Sequence, residues 1–136
     1  MKCLAMDLGT KTLGLAVSDK QGIISYPYKL VRFKTYEDAA NEVVSIIEKE
    51  QIEVLVLGLP KNMDNSLGFA SKRSLDFKSL LESKTNLEIV LIDERLSTVE
   101  AENILINDDV KRKKRKEIID ELSACIILDT YLRKVS

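Results

Sequence analysis

The stretch Lys2-Cys3-Leu4-Ala5-Met6-Asp7-Leu8-Gly9-Thr10-Lys11-Thr12-Leu13-Gly14-Leu15-Ala16-Val17-Ser18-Asp19 carries a carboxylate out of an apolar run and into a glycine-containing turn. Its alternation predicts one strand over residues 2–7 and a second over 13–18, too close for anything but a tight antiparallel connection. Gly9 lets the backbone turn sharply and approach a ligand, and Asp7 is left at the end of the strand, where α/β proteins place their chemistry.

Working outward, residues 23–33 read as a third strand, and Pro27 within it predicts an edge position because proline cannot donate to a ladder. The period then changes. Ala39, Ala40, Val43, Val44, Ile46 and Ile47 recur at helical spacing behind a candidate N-cap at Thr35, which predicts a helix to about residue 50. The unbroken apolar run 54–57, closed by Gly58 and Pro60, reads as a buried parallel strand. A second crossover helix is expected with Leu67, Ala70, Ser74, Phe77 and Leu81 on one face, followed by a strand over 89–92 and helices over 98–106 and 117–133. The resulting class is α/β, a five-stranded mixed sheet built from a three-strand antiparallel meander plus two parallel strands, flanked by helices, with the first strand central.

At 136 residues, without a long Pro, Gly or Ser tract, the chain is expected to be a single domain over 1–136. No apolar stretch approaches a membrane span or a signal-peptide core, so a cytoplasmic protein with no membrane partner is expected. Histidine is absent, which excludes histidine-dependent triads, histidine general bases and histidine-containing zinc sites. The two cysteines, Cys3 and Cys125, lack metal-ligand spacing and read as buried reduced thiols. Carboxylates, basic side chains and bound cations are what remain for chemistry.

The predicted topology brings the carboxyl ends of the first, fourth and fifth strands to one edge. Asp7, the loop 58–66 and Glu94 sit there, and Asp120, expected in the first turns of the last helix, can fold over the same edge. With 22 acids in the chain a single one carries little weight, and each has a plain structural reading: a turn cap for Asp7, surface positions for Glu94 and Asp120. Asp93 competes with Glu94, because strand alternation sends neighbours to opposite faces. A cluster of Asp7, Glu94 and Asp120 suits hard, oxygen-loving cations, Mg²⁺ or Mn²⁺, and a pair of such ions suits phosphodiester hydrolysis. Ser123 and Ala124, at i+3 and i+4 from Asp120, would let that helix approach closely.

Net charge is only −1, yet Lys111, Arg112, Lys113, Lys114, Arg115 and Lys116 form an unbroken basic run just before the Asp120 helix. It is a candidate phosphate contact, as are Arg95 and Lys11, with a solvated loop as the alternative for the run. The loop 58–66 leads into a helix N-terminus and offers backbone amides to an anion.

Taken in order, Asp7-Leu8-Gly9 with Gly14 and Ala16-Val17-Ser18-Asp19, Gly58-Leu59-Pro60 with Met63-Asp64, Asp93-Glu94-Arg95 with Thr98, and Ile119-Asp120-Glu121-Leu122-Ser123-Ala124 resemble the YqgF family over essentially the whole chain. The resemblance implies an RNase H-like, RuvC-like fold with Asp7, Glu94 and Asp120 as metal-binding catalytic acids. It also implies Holliday junction resolvase-like activity or maturation of the 5′ end of precursor 16S ribosomal RNA, with nucleic acid and pre-ribosomal particles as partners. Asn65 stands where the family usually has glycine, and Ser123 where it often has alanine. Monomer and homodimer both stay open, and junction resolution would need two sites. Two rival readings remain: a non-catalytic RNA-binding module, and an ATP-binding protein of the actin, Hsp70 and sugar-kinase group, which shares the Asp7-Leu8-Gly9-Thr10 turn but needs two such lobes.

Overall fold

The computed structural model describes residues 1–60, 68–93 and 112–135, with only the backbone of 112–121 described. Within them lie β1 (Cys3–Leu8), β2 (Thr12–Ser18), β3 (Ser25–Arg32), α1 (Tyr36–Glu50), β4 (Val54–Leu59), α2 (Phe69–Glu82), β5 (Glu88–Asp93) and α3 (Arg112–Val135). The strands form one sheet in the order β3-β2-β1-β4-β5. β1 is central, antiparallel to β2 and parallel to β4, and β5 continues the parallel side. The expected helix over 98–106, together with Glu94, Arg95, Lys111 and the loop 61–67, lies outside the described residues.

Period-two alternation divides the core. Leu4, Met6, Leu13, Leu15, Leu55 and Leu57 point to the side covered by α1 and α2, where Val43, Ile46, Phe77 and Leu81 meet them. Cys3, Ala5, Ala16, Val54, Val56 and Ile92 point to the other side, against Ala124, Cys125, Ile127, Leu128 and Tyr131 of α3. Because β1 and β4 are buried on both faces, they read as continuous apolar runs. The strand side chains under α3 are mostly small, so that helix can sit close to the sheet. Cys3 and Cys125 are both buried and neither forms a disulfide, as expected.

β3 is an edge strand, and Pro27 lies in it opposite Ala16. The register slips there: Leu15 pairs with Lys29 and Ala16 with Pro27, so Tyr28 is the extra residue of a bulge. The strand begins at Ser25 rather than 23 because Asp19 closes the preceding turn, its carboxylate accepting from Ile23 N (2.7 Å) and Ile24 N (3.1 Å). α1 is capped by Thr35, whose hydroxyl accepts from Asp38 N at 3.1 Å, and it ends at Gln51 in the left-handed region, φ 56°. On α2 the buried face is Ser71, Ser74, Phe77 and Leu81, with Ala70 only half-buried.

The last helix starts at Arg112, five residues earlier than its apolar pattern indicates. Lys and Arg are good helix formers and nothing between Arg112 and Glu117 breaks the helix, so propensity extends it through the basic run. Arg112, Lys113, Lys114, Arg115 and Lys116 therefore belong to the opening turns of α3, not to a loop, and Asp120 falls in the third turn. Among the described residues no helix is long and apolar enough to cross a membrane.

Candidate functional site

Asp7 is the penultimate residue of β1 and is half-buried. Its parity matches Cys3 and Ala5, so it belongs to the face covered by α3. Across the hairpin it pairs with Gly14 of β2, which in turn pairs with Leu30 of β3. On its other side Met6 pairs with Leu57, so one step on Asp7 comes level with Gly58, which pairs with Ile92 of β5. The row across the sheet is thus Leu30, Gly14, Asp7, Gly58, Ile92. The one carboxylate in it is flanked on both neighbouring strands by residues that have no side chain.

Glycine inside a strand weakens it, and its usual reason is close approach by a ligand or another backbone. Here the two buried glycines bring no side chain of their own beside the Asp7 carboxylate on the α3 side. The sequence carried that signal, since Gly14 interrupts Leu13 and Leu15 and Gly58 interrupts Leu57 and Leu59, but only the register shows that both flank Asp7.

α3 approaches this position from the opposite end of the sheet. Ser25 Oγ, at the start of β3, donates to Asp129 Oδ1 at 2.6 Å, and a Cβ at Gly22 would come within 3.9 Å of Leu132 Cδ2. The C-terminal turns of α3 therefore lie by the beginning of β1, and the helix runs antiparallel to that strand. From Leu132 back to residue 120 the helix rises about 18 Å, whereas β1 advances about 13 Å from Cys3 to Asp7. The backbone of residue 120 thereby reaches the level of Asp7.

Asp93 is different. It pairs with Leu59 and has the parity of Leu91, which puts it on the α1–α2 face, opposite the side of Asp7. It is exposed at the end of β5. That removes it from the competition with Glu94 for a site on the α3 side.

Lys11 occupies the β1–β2 turn at the same edge, exposed, with its carbonyl accepting from Phe33 N at 3.0 Å. The turn is closed by Gly9 N donating to Thr12 O at 2.8 Å, and a Cβ at Gly9 would meet Thr12 Oγ1 at 3.1 Å. Glycine keeps that turn tight and holds Lys11 out toward solvent.

The fit to a divalent cation rests on the donor set: carboxylate oxygens flanked by two glycines, and no histidine to favour softer ions. Among the described residues no three acidic or thiol groups converge. Glu94 and the side chain of Asp120, the other two expected ligands, lie outside them.

The family model described as "RuvX: Holliday junction resolvase" matches residues 1–134. A protein of Halothermothrix orenii named "Putative pre-16S rRNA nuclease" is 41% identical over 132 residues, covering 97% of this chain and 94% of that one. Relatives bearing the same name in a Geobacillus species and in Staphylococcus aureus are 42% and 43% identical over 134 residues, covering 97% and 94% of their own lengths and 97% and 96% of this chain. Among solved structures, Thermus thermophilus RuvC in complex with a Holliday junction substrate superposes with a TM-score of 0.63 at 13% identity, covering 100% of this chain and 97% of that one. The fowlpox virus resolvase bound to Holliday junction DNA gives 0.58 at 13%, covering 99% of each chain. These likenesses show the RuvC-like RNase H fold. With its motifs in order and nearly its full length matched, the chain belongs to the RuvX (YqgF) family.

Proposed function

We propose that the protein is a divalent-metal-dependent nuclease that hydrolyses phosphodiester bonds at the 5′ end of precursor 16S ribosomal RNA, within or beside pre-ribosomal particles in the cytoplasm. The observation that carries this reading is Asp7 held between Gly14 and Gly58 at the end of the central strand, facing the helix that bears Asp120. Asp7, Glu94 and Asp120 would hold Mg²⁺ or Mn²⁺, probed as a pair of ions. When bound, such ions supply activation of water and stabilisation of the leaving oxygen. Clustered carboxylates repel one another, so the same three acids make the site a cation trap.

The chain's own residues do the rest. The basic opening turns of α3, Arg112, Lys113, Lys114, Arg115 and Lys116 with Lys111 before them, draw a polyanion to the edge where Asp7 lies. Lys11 on its turn and Arg95 after Glu94 position individual phosphates. These contacts read no bases, which suits a substrate chosen by structure or by a ribosomal partner.

The test is cleavage of end-labelled precursor 16S RNA beside a four-way DNA junction, with wild type and Asp7→Asn, in Mg²⁺ and in Mn²⁺. Cleavage of the RNA by wild type alone is the expected result. Preference for the junction would instead favour the resolvase reading that the family description supports, and that reading requires a dimer. No cleavage of either substrate would replace both with a non-catalytic RNA-binding module.

A further inference from the structure

A groove of about 430 Å³ lies between the start of α1 and the flank of α2 from Phe69 to Leu80, on the face of the sheet opposite Asp7. Its walls include Tyr36, Phe69, Lys72, Arg73, Asp76 and Phe77. Phe69 is 91% exposed, the largest exposure of any bulky apolar side chain among the described residues. Tyr36 is also exposed and stacks edge-on against Phe77, ring centroids 6.4 Å apart, so one wall is a fixed aromatic surface rather than a loose side chain.

Charge points to what fills it. Lys72 and Arg73 follow Phe69 on α2, and neither joins an ion pair among the described residues, where Lys2, Lys29, Lys78 and Lys84 do. The first turn of α2 contains no acid, and Asp76 is the single carboxylate on the walls. Aromatic faces flanked by unpaired cations match a strand of stacked bases with its phosphates alongside. An apolar protein segment would leave both cations without partners.

Topology connects the groove to the catalytic edge. β3 runs in the same direction as β1, and α1 opens four residues after β3 ends, with Phe33 tied to the Lys11 turn. α2 likewise follows the carboxyl end of β4. α1 thus begins at the edge where Asp7 sits, and the 2.6 Å ion pair between Glu37 in its first turn and Lys84 past the end of α2 lays α2 across that start, so the groove lies around the rim from Asp7.

We propose that this groove is a stacking subsite for unpaired nucleobases, with Phe69 and Tyr36 as platforms and Lys72 and Arg73 as phosphate contacts. It grips single-stranded nucleic acid flanking the segment that is cut, and it rests on the nuclease reading for its role though not for its existence.

The chain contains no tryptophan, so Phe69→Trp introduces a single reporter at an exposed position that does not disturb the core. In EDTA, short oligoadenylate or oligouridylate should quench its emission, and an abasic oligomer of equal length should not. By fluorescence anisotropy Phe69→Ala should weaken oligonucleotide binding about tenfold, Phe69→Tyr should bind as wild type does, and Lys72→Gln should weaken intact and abasic strands alike. Unquenched Phe69→Trp emission together with unchanged affinity of Phe69→Ala would overturn the proposal and leave the groove to a protein partner. Because these readouts need no turnover, their failure is distinct from failure of the nuclease reading, which would show as uncut RNA in Mg²⁺ and Mn²⁺.

Discussion

Asp7 of β1 and Gly14 of β2 are cross-strand partners, so the acid at the end of the central strand faces a neighbour without a side chain. The pairing gives glycine a functional reason at a position where strand propensity favours a branched residue. Gly14 is itself buried, so the isopropyl group of Gly14→Val should overpack the site, lowering the melting temperature by several degrees, and by crowding the carboxylate it should lower cleavage by about tenfold or more, a barrier increase of roughly 1.4 kcal/mol or above. Paired thermal melts and single-turnover cleavage check this, and equal activity would mean that the glycine is dispensable.

Mg²⁺ should stabilise the wild-type protein and not Asp7→Asn. At a free concentration about a hundredfold above Kd, linkage adds about 2.7 kcal/mol. If Asp7, Glu94 and Asp120 cluster as proposed, the Asn variant should be at least as stable as wild type without metal, since it then removes charge from a repelling group at nearly constant volume. Thermal melts in EDTA and in Mg²⁺ separate a metal role from a structural one.

The triple substitution Lys113→Gln, Lys114→Gln, Arg115→Gln keeps good helix formers in α3 while removing charge. If these cations contact phosphates, the slope of log K against log salt for single-stranded RNA should fall by about 2. An unchanged slope would place the opening turns of α3 off the binding path.

Asp19 anchors the turn before β3, and the backbone amides of Ile24 and then Ile23 hold its carboxyl below its ordinary value of 3.8. The folded state therefore binds its proton less readily than the unfolded chain. The stabilisation is present above the unfolded value and is lost as pH falls through the folded one. Asp19→Ala should melt a few degrees below wild type at neutral pH, and the two curves should converge only in acid below the folded value. A gap that persists there would show that the turn is stabilised by something other than the ionised carboxylate.

Ser74 on α2 is buried, and among the described residues its hydroxyl has no hydrogen-bond partner. Ser74→Ala should stabilise by about 1 kcal/mol, about 4 °C in melting temperature for a chain of this size. A loss of stability would reveal a partner for the hydroxyl.

Much of this fold was legible in the residues themselves. Continuous apolar runs marked β1 and β4 as buried on both faces, Pro27 marked β3 as an edge, and Thr35 marked the start of α1. What the chain hid was set by register and by competing propensities. Whether Asp93 shares a side with Asp7 depends on which residue of β5 lies level with Gly58, and alternation decides it only once Ile92 is placed there. The start of α3 was hidden because six consecutive cations show no amphipathic period, although each is a good helix former. Gly14 and Gly58 look like separate strand defects until β1 is set between them. Of the candidate site, Asp7 and its edge were readable early, whereas the groove at Phe69 depends on the mutual packing of two helices, which no single stretch of sequence records.

The central sheet also separates two interiors that can be altered independently. Leu4, Met6, Leu55 and Leu57 pack under α1 and α2, and Ala5, Ala16 and Val56 pack under α3, against its Cys125. Substitutions on opposite sides share few neighbours, so their stability effects should sum to within about 0.5 kcal/mol. An engineer seeking a hardier variant can therefore rework the buried layer under α1 and α2, sparing Phe77 behind the groove, and leave untouched the side to which Asp7 belongs.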